Sequence, residues 1–195
     1  MKTIAVIPAR GGSQRIPGKN IRDFYGKPIL AYSIETARES GLFDRIFVST
    51  DSISIVETAN KYGAEAVIRD EEMAHNDVGT WEVTKHVAEQ LELELDDLIC
   101  CIYPTSPLMS VDDLRRGHLY MQSLEISHAI SVGYPPLQDA AQFYWSWVDA
   151  LYLGVPYFDV STGLVPIENK RVCDINVEAD WIKAEAMYID LQEKQ

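Results

Sequence analysis

A glycine-rich, basic loop follows the first apolar segment of the chain and constrains the fold more than any other feature. Residues 4–7 are apolar and long enough for one buried strand. Residues 8–20 then contain three glycines, two prolines and three cations, namely Arg10, Arg15 and Lys19. Glycines let backbone N–H groups approach phosphate oxygens, and cations neutralise the charge of those oxygens. The stretch therefore predicts a phosphate site, with a merely basic surface loop as the alternative.

The spacing of this loop matches neither of two common phosphate-binding fingerprints. No Gly-Lys-Ser/Thr triplet follows the glycines, and the G-x-G-x-x-G pattern is absent. The three cations nevertheless stand out in a chain whose formal net charge is −13. That charge argues against nucleic acid or an anionic membrane as a partner, whereas a local basic loop can still hold a nucleotide.

Length and composition indicate one globular domain over residues 1–195, with 47% hydrophobic and 24% charged residues. No apolar run approaches a membrane span, and no signal peptide is recognised at the amino terminus. Cys100 and Cys101 lie in an apolar run and predict core thiols in a reducing cytoplasm. The cysteines and histidines lack the spacing of a zinc site.

Strand and helix patterns alternate along the chain, which predicts an α/β fold with a doubly wound, mostly parallel sheet and helices on both faces. Strands are predicted at residues 4–7, 45–50, 65–68, 98–103, 128–132, 142–145 and 164–167. Helices are predicted at residues 28–40, 52–62, 81–93, 112–124, 147–151 and 178–191. The segment at 98–103 is continuously apolar, as expected of a central strand that is buried on both faces.

Polar residues follow several of the predicted strands. The loop at 9–20, Asp51, Thr105, Ser106 and Asp174 all lie just after strand patterns. Ligands of open α/β sheets bind beyond the carboxyl ends of the strands, so we expect these residues to converge on one cleft. Asp51 could equally cap the next helix, and the two hydroxyls could cap the turn that follows their strand.

Asp174 and Asn176 are candidates for holding one ion. Residues two apart in an extended segment face the same side, so both side chains can reach the same point. The alternative is that both are turn residues ahead of the closing helix. For Arg15, likewise, simple solvation is the alternative to a phosphate contact.

Taken together, the motifs of this chain resemble the CMP-sialic acid synthetases, also called acylneuraminate cytidylyltransferases. Within that family the chain is most similar to the pseudaminic acid cytidylyltransferases. The resemblance runs almost end to end and rests on residues 7–13 with Lys19 and Asn20, then 48–51, 103–107, 139–145 and 174–176.

The resemblance implies a Rossmann-like nucleotidyltransferase that activates a nine-carbon 2-keto sugar acid with CTP, releasing pyrophosphate. The catalytic residues would be Arg10, Lys19 and Asp174. The nucleotide would contact Ala9, Arg10, Gly11, Gly12, Ser13, Lys19, Asn20, Arg69, Gly79 and Thr80. The sugar acid would contact Thr105, Ser106, Gln142 and Tyr144. Mg²⁺ would be held by Asp174 and Asn176.

The chain departs from the family pattern at three places. Gln14 stands where the family usually has a lysine, and Asn176 where it has an aspartate. Only residues 133–138 connect the strand near 130 to the segment at 139–145, where the family has a long excursion that carries subunit contacts. We therefore expect a weakened homodimer and weaker recognition of the acceptor sugar. Two alternative functions stay open: a nucleotide-binding homologue with weak or lost catalysis, and a nucleotidyltransferase for another sugar acid such as Kdo.

Overall fold

Strands and helices alternate in the computed structural model, which describes residues 1–70, 72–73, 75 and 77–193. The strands are β1 (Thr3–Pro8), β2 (Asp23–Phe24), β3 (Lys27–Pro28), β4 (Arg45–Thr50), β5 (Glu65–Ile68), β6 (Leu98–Ile102), β7 (His128–Tyr134), β8 (Gln138–Trp147) and β9 (Thr162–Glu168). The α-helices are α1 (Ile29–Ser40), α2 (Ile53–Tyr62), α3 (Thr80–Gln90), α4 (Val111–Ser123), α5 (Val148–Leu153) and α6 (Glu178–Gln192).

One seven-stranded sheet organises the molecule, with strand order β5-β4-β1-β6-β8-β7-β9. β1 lies parallel to both β4 and β6, and β7 lies parallel to β9. Among the described strands of this sheet, β8 runs antiparallel to its neighbours β6 and β7. The core on one face of the sheet is filled by α1, α2 and α4, and the core on the other face by α3 and α5. The predicted fold class is confirmed.

Local sequence signals account for most of these elements. All five residues of β6 are buried, as the continuous apolar run predicts. Gly41 and Gly63 end α1 and α2 in the left-handed conformation, which glycine adopts without steric cost. Ser110 and Asp113 form a capping box at the start of α4. The predicted and observed boundaries of the helices agree to within three residues.

The connection predicted at residues 133–138 is a hairpin. β7 continues to Tyr134 and β8 begins at Gln138, so residues 135–137 separate the two strands, and Gly133 pairs with Gln138. Antiparallel strands need only such a short loop, whereas parallel strands need a crossover of a dozen or more residues. Neither this pairing nor the small antiparallel ribbon of β2 and β3 was predicted from the sequence.

α6 packs against the segment that follows the basic loop. Trp181 of α6 lies edge-on to Phe24 with ring centroids 5.5 Å apart, in a buried cluster that includes Ile16 and Ile175. Arg22 donates two hydrogen bonds of 2.7 Å to Glu178, and its guanidinium lies 4.4 Å from the centre of the Trp181 ring. These contacts bring residues 173–177 against the loop that follows β1.

A buried ion pair fixes the chain ahead of residue 174. Asp113 is fully buried and accepts hydrogen bonds from Arg171 and Arg116. Burial would raise the pKa of Asp113, but the hydrogen bonds from Arg171 and Ser110 outweigh it and the pKa is lowered from 3.8. The stabilisation is therefore present above pH 3.8 and is lost as the pH falls through the lowered pKa.

No helix among the described residues is long and apolar enough to cross a membrane.

Replacing Asp113 with asparagine should destabilise the fold, because it leaves the half-buried Arg171 without its counter-charge. We expect the free energy of unfolding to fall by on the order of 3 kcal/mol. Glu65→Gln is the matched control, since Glu65 pairs with Arg45 at the surface and its loss should change stability little. Urea denaturation measures both variants, and equal losses would contradict this account.

Candidate active site

A cleft of about 550 Å³ opens at the carboxyl ends of β1 and β6. Its lining comes from the loop after β1, the start of α3, the end of β6 and the segment before α6. The lining residues are Pro8, Arg10, Ser13, Gln14, Arg15, Lys19, Asn20, Thr80, Tyr103, Pro104, Thr105, Asp174 and Asn176. The basic loop, Thr105 and Asp174 therefore converge on one cleft as expected, whereas Asp51 and Ser106, also expected there, do not line it.

Hydrogen bonds from neighbouring segments fix the backbone of the basic loop. The Ala9 N–H donates to the carbonyl of Ser49 over 2.9 Å, and the Gly11 N–H donates to Oδ1 of Asp51 over 2.7 Å. Buried Asn20 donates from Nδ2 to the carbonyl of Arg10 over 2.9 Å. Asp51 therefore holds the loop, while Ser52 takes the capping position of α2.

The two adjacent glycines of the loop have different surroundings. A Cβ on Gly11 would lie 2.9 Å from Cβ of Ser52 and 3.3 Å from its Oγ. A Cβ on Gly12 would meet nothing within 4 Å. Close approach of the loop to α2 therefore requires glycine at position 11 but not at position 12.

Lys19 connects the loop to the segment ahead of α6. Its Nζ donates to the carbonyl of Ile175 over 2.8 Å. Burial lowers the pKa of Lys19 from 10.5, although the nearby Asp174 carboxylate favours the charged form. A partly desolvated ammonium group of this kind interacts strongly with an anion placed in the cleft.

Asp174, Asn176 and Arg15 form a short chain of hydrogen bonds at one side of the cleft. Asn176 donates from Nδ2 to Oδ2 of Asp174 over 2.6 Å. Arg15 donates from Nη2 to Oδ1 of Asn176 over 2.9 Å. Oδ2 of Asp180 accepts from the backbone N–H groups of Asn176 and Val177, at 2.9 Å each, and so fixes the backbone here.

A divalent cation could be held at Asp174. No group of three or more His, Cys, Asp or Glu side chains suited to a metal occurs in residues 1–70, 72–73, 75 and 77–193. Among the described residues that line the cleft, Asp174 is the one carboxylate. Mg²⁺ commonly binds through one or two carboxylates together with substrate phosphates and water, so the donor set fits a metal that a triphosphate brings with it.

A smaller cavity of about 170 Å³ adjoins the cleft. It is lined by Pro8, Arg10, Arg69, Val78, Gly79, Thr80 and Val83, of which Pro8, Arg10 and Thr80 also line the cleft. Arg69 is buried and donates to Oγ and the carbonyl oxygen of Ser49, each over 2.9 Å. Burial lowers the pKa of Arg69 to about 10.

A mostly apolar pocket of about 460 Å³ adjoins the cleft at Thr80 and Tyr103. Tyr144 stacks on Tyr157 with centroids 4.7 Å apart and lies edge-on to Tyr103 at 5.6 Å. The full lining is Thr80, Trp81, Tyr103, Tyr144, Gly154, Pro156, Tyr157 and Phe158. Trp81, Tyr157 and Phe158 were not predicted from the sequence. For Tyr157 and Phe158 the available signal was the pair of aromatic residues after Gly154 and Pro156.

Five of the candidate residues do not line these three cavities: Ala9, Gly11, Gly12, Ser106 and Gln142. Ser106 is buried and donates from Oγ to the carbonyl of Ala141 over 3.3 Å. Gln142 is buried and donates from Nε2 to the carbonyl of Arg171 over 2.5 Å. These two side chains bond to backbone carbonyls and do not line the cavities. The substrate contacts expected for them therefore stay predictions.

Comparison with known proteins gives a family match and a close relative. A family model described as cytidylyltransferase matches residues 4–132. A pseudaminic acid cytidylyltransferase from Campylobacter jejuni is 44% identical over 121 residues, which cover 60% of this chain and 52% of that protein. The chain thus spans about half the length of the curated relatives it matches.

Solved structures share the fold at low sequence identity. A CMP:2-keto-3-deoxy-manno-octonic acid synthetase complexed with CTP is similar, with a TM-score of 0.78 and 17% identity over 99% of this chain and 100% of that chain. A Mycobacterium tuberculosis protein in complex with manganese has a TM-score of 0.69 and 12% identity, over 95% of this chain and 99% of that chain.

Gly11→Ala should destabilise the protein, since the new methyl group would overlap the side chain of Ser52. We expect a loss of about 1–3 kcal/mol in the free energy of unfolding. Gly12→Ala is the matched control and should be neutral or slightly stabilising, because it only restricts the unfolded chain. Thermal unfolding of both variants measures the contrast. If the two alanines have equal effects, the close packing of Gly11 on α2 is wrong.

Proposed function

The chain belongs to the cytidylyltransferase family, and from that premise we propose that it transfers CMP from CTP to a nine-carbon 2-keto sugar acid of the pseudaminic or sialic type. The other product is pyrophosphate. The observation that carries the proposal is that Arg10, Lys19 and Asp174 meet in one cleft at the carboxyl end of β1. That cleft combines cations for a triphosphate with a carboxylate for a divalent metal.

The three connected cavities suggest how the substrates lie. The base and ribose occupy the small cavity beside Gly79 and Thr80, where backbone groups can meet a base edge. The phosphates extend past Arg10, which lines both cavities, toward the loop residues that line only the cleft. Arg69 lines the small cavity and also holds the ends of β4 and β5 together, since it bonds to Ser49.

The reaction is a displacement at the α-phosphorus of CTP. The anomeric hydroxyl oxygen of the sugar acid forms the new P–O bond, and the bond to pyrophosphate breaks. The hydroxyl proton passes to solvent or to the carboxylate of Asp174. Negative charge grows on the departing pyrophosphate, and Arg10 and Lys19 stabilise it from fixed positions. The cations act mainly in the transition state, because that is where this charge develops.

We propose Mg²⁺ as the metal, with Asp174 as its ligand from the protein. When bound, it would offset phosphate charge and help align the triphosphate. A structural neighbour from Mycobacterium tuberculosis forms a complex with manganese, which supports use of a divalent cation in this fold.

The apolar pocket is the proposed place for part of the acceptor. Its aromatic lining from Tyr144, Tyr157 and Phe158 suits methyl or acyl groups, because burying them releases water from apolar surface. The O–H of Tyr144 donates to Oδ2 of Asp139 over 2.6 Å, which orients the ring. An acceptor with acyl substituents fits this pocket better than one that bears only hydroxyl groups.

The first test is pyrophosphate release with CTP and Mg²⁺ against sialic, pseudaminic, legionaminic and Kdo-type acids. We expect release with an acylated nine-carbon acid and little or none with Kdo. Calorimetric titration of CTP runs in parallel. Binding without release from any acid would favour the catalytically inactive homologue, and absence of both would overturn the proposal.

Arg10→Ala and Lys19→Ala should each weaken CTP binding, because each removes a cation that contacts phosphate. We expect losses of about tenfold or more in affinity. Arg45→Ala is the control, as it removes the same charge from the amino end of β4, at the opposite end of the sheet. Isothermal calorimetry gives the affinities, and unchanged affinity in both variants would remove the loop from phosphate binding.

The expectation of a weakened homodimer stays a prediction. It is supported by the three-residue hairpin loop between β7 and β8, where no long excursion leaves the sheet. Sedimentation velocity tests it, and a tight dimer at low protein concentration would contradict it.

A further inference from the structure

The side-chain amide of Asn176 makes a hydrogen bond at each of its two ends. Its donor end faces Oδ2 of Asp174 at 2.6 Å, and its acceptor end receives Nη2 of Arg15 at 2.9 Å. This orientation is set by chemistry, since the reversed amide would place N–H groups against a guanidinium and an oxygen against a carboxylate. Asn176 therefore links the loop after β1 to the one carboxylate among the described residues that line the cleft.

The backbone that carries Asn176 is held from several directions. Oδ2 of Asp180 accepts its N–H, and Nζ of Lys19 donates to the carbonyl of the preceding residue, Ile175. Ile175 itself is fully buried among the residues packed under α6. An exposed arginine loses freedom when it bonds to such a fixed partner, and a partly ordered guanidinium binds an anion at lower entropic cost.

The same geometry disfavours metal binding at Asn176. Its oxygen accepts a hydrogen bond from a guanidinium, and a divalent cation at that oxygen would lie beside the positive charge of Arg15. The amide N–H groups could not coordinate the cation. The sequence-based expectation of Asn176 as a ligand thus competes with a second role that the hydrogen bonds support directly.

Arg15 is one of the three loop cations expected to contact phosphate, and we propose that Asn176 is a positioning residue that holds the Arg15 guanidinium for the terminal phosphates of the nucleotide. The inference rests on the proposed function, because it assigns a part of the triphosphate to a part of the same cleft. A guanidinium has five N–H groups in a planar fork, so one can bond to Asn176 while others meet phosphate oxygens in pairs.

The order of the cavities places the terminal phosphates at Arg15. Arg69 and Gly79 line only the small cavity, whereas Arg10 and Thr80 line both the small cavity and the cleft. Arg15 lines only the cleft. When the base lies in the small cavity, the first phosphate lies near Arg10 and the phosphates that follow lie near Arg15.

The neutrality of Asn176 matters to this role. A carboxylate in its place would pair with the guanidinium and cancel part of the positive charge that the phosphates need. The amide holds the arginine through a hydrogen bond and leaves the charge available. Asn176→Asp should therefore weaken CTP binding in the absence of metal, although a carboxylate is the better metal ligand.

The experiment is calorimetric titration with CTP and with CMP, in EDTA and again in Mg²⁺, so the EDTA arm does not depend on the metal. Arg15→Ala should weaken CTP binding about tenfold or more and change CMP binding by less than about twofold. Asn176→Ala should weaken CTP binding by a smaller factor, and the double variant should be no weaker than Arg15→Ala alone. Arg15→Lys should recover only part of the affinity.

Matched controls separate this role from general effects of charge and stability. Arg45→Ala removes an exposed arginine, and Asn60→Ala removes an exposed asparagine of α2; neither should alter CTP binding. Circular dichroism and thermal unfolding of each variant confirm that the fold is retained. A variant that unfolds is replaced by Arg15→Gln or Asn176→Ser, for which the same order of affinities is expected.

Several results would overturn the inference. Equal losses for CTP and CMP in Arg15→Ala would place Arg15 away from the terminal phosphates. Additive losses in the double variant would show that Asn176 does not act through Arg15. Tighter CTP binding by Asn176→Asp in Mg²⁺, without loss in EDTA, would make Asn176 a metal site. If the wild-type chain binds CTP and Arg10→Ala weakens that binding while Arg15→Ala does not, this inference fails and the proposed function stands. If the wild-type chain does not bind CTP, both proposals are overturned.

Discussion

The contact between the basic loop and the start of α6 is the constraint on which the site depends. Lys19 donates to the carbonyl of Ile175, and Arg22 holds Glu178 through two hydrogen bonds, so residues far apart in sequence form one wall. The buried cluster around Trp181 supplies most of the stabilisation, because exposed ion pairs contribute little on their own. The polar contacts fix how the two segments align. Without this docking the cations of the loop would have no carboxylate opposite them.

Local patterns in the sequence predict much of this architecture. The apolar run that becomes β6, the glycines that end α1 and α2, and the polar loops after the strands all have nearby causes, so residues 98–103 could be assigned from composition alone. Convergence of the loop, Thr105 and Asp174 followed from the rule that parallel strands present their carboxyl ends at one edge. The rule requires that the strands are parallel but not that their exact order is known. The cleft could therefore be predicted without knowledge of the tertiary contacts.

The elements that were missed are those whose determinants are far away in sequence. The short connection at residues 133–138 is a local signal for antiparallel pairing of β7 and β8. The insertion of β8 between β6 and β7, however, depends on pairing across the sheet, which no local pattern specifies. Tyr157 joins the apolar pocket because it stacks on Tyr144, a tertiary contact with no periodic signal. Gln142 lies in a motif close to the site, yet its amide bonds to the backbone of Arg171 and supports the segment ahead of Asp174.

The two point departures that the resemblance implies, at Gln14 and Asn176, balance each other in charge. The cleft of this chain is lined by three cations, Arg10, Arg15 and Lys19, by the carboxylate of Asp174, and by the neutral amides of Gln14 and Asn176. A lysine at 14 and an aspartate at 176 would add one positive and one negative charge, so the sum within the cleft is the same in both arrangements. What differs is distribution: with both positions neutral, a hydrogen bond between Arg15 and Asn176 replaces the ion pair that those charges would allow. A triphosphate carries its charge in a fixed geometry, and the site then depends on where its cations are held more than on how many it has.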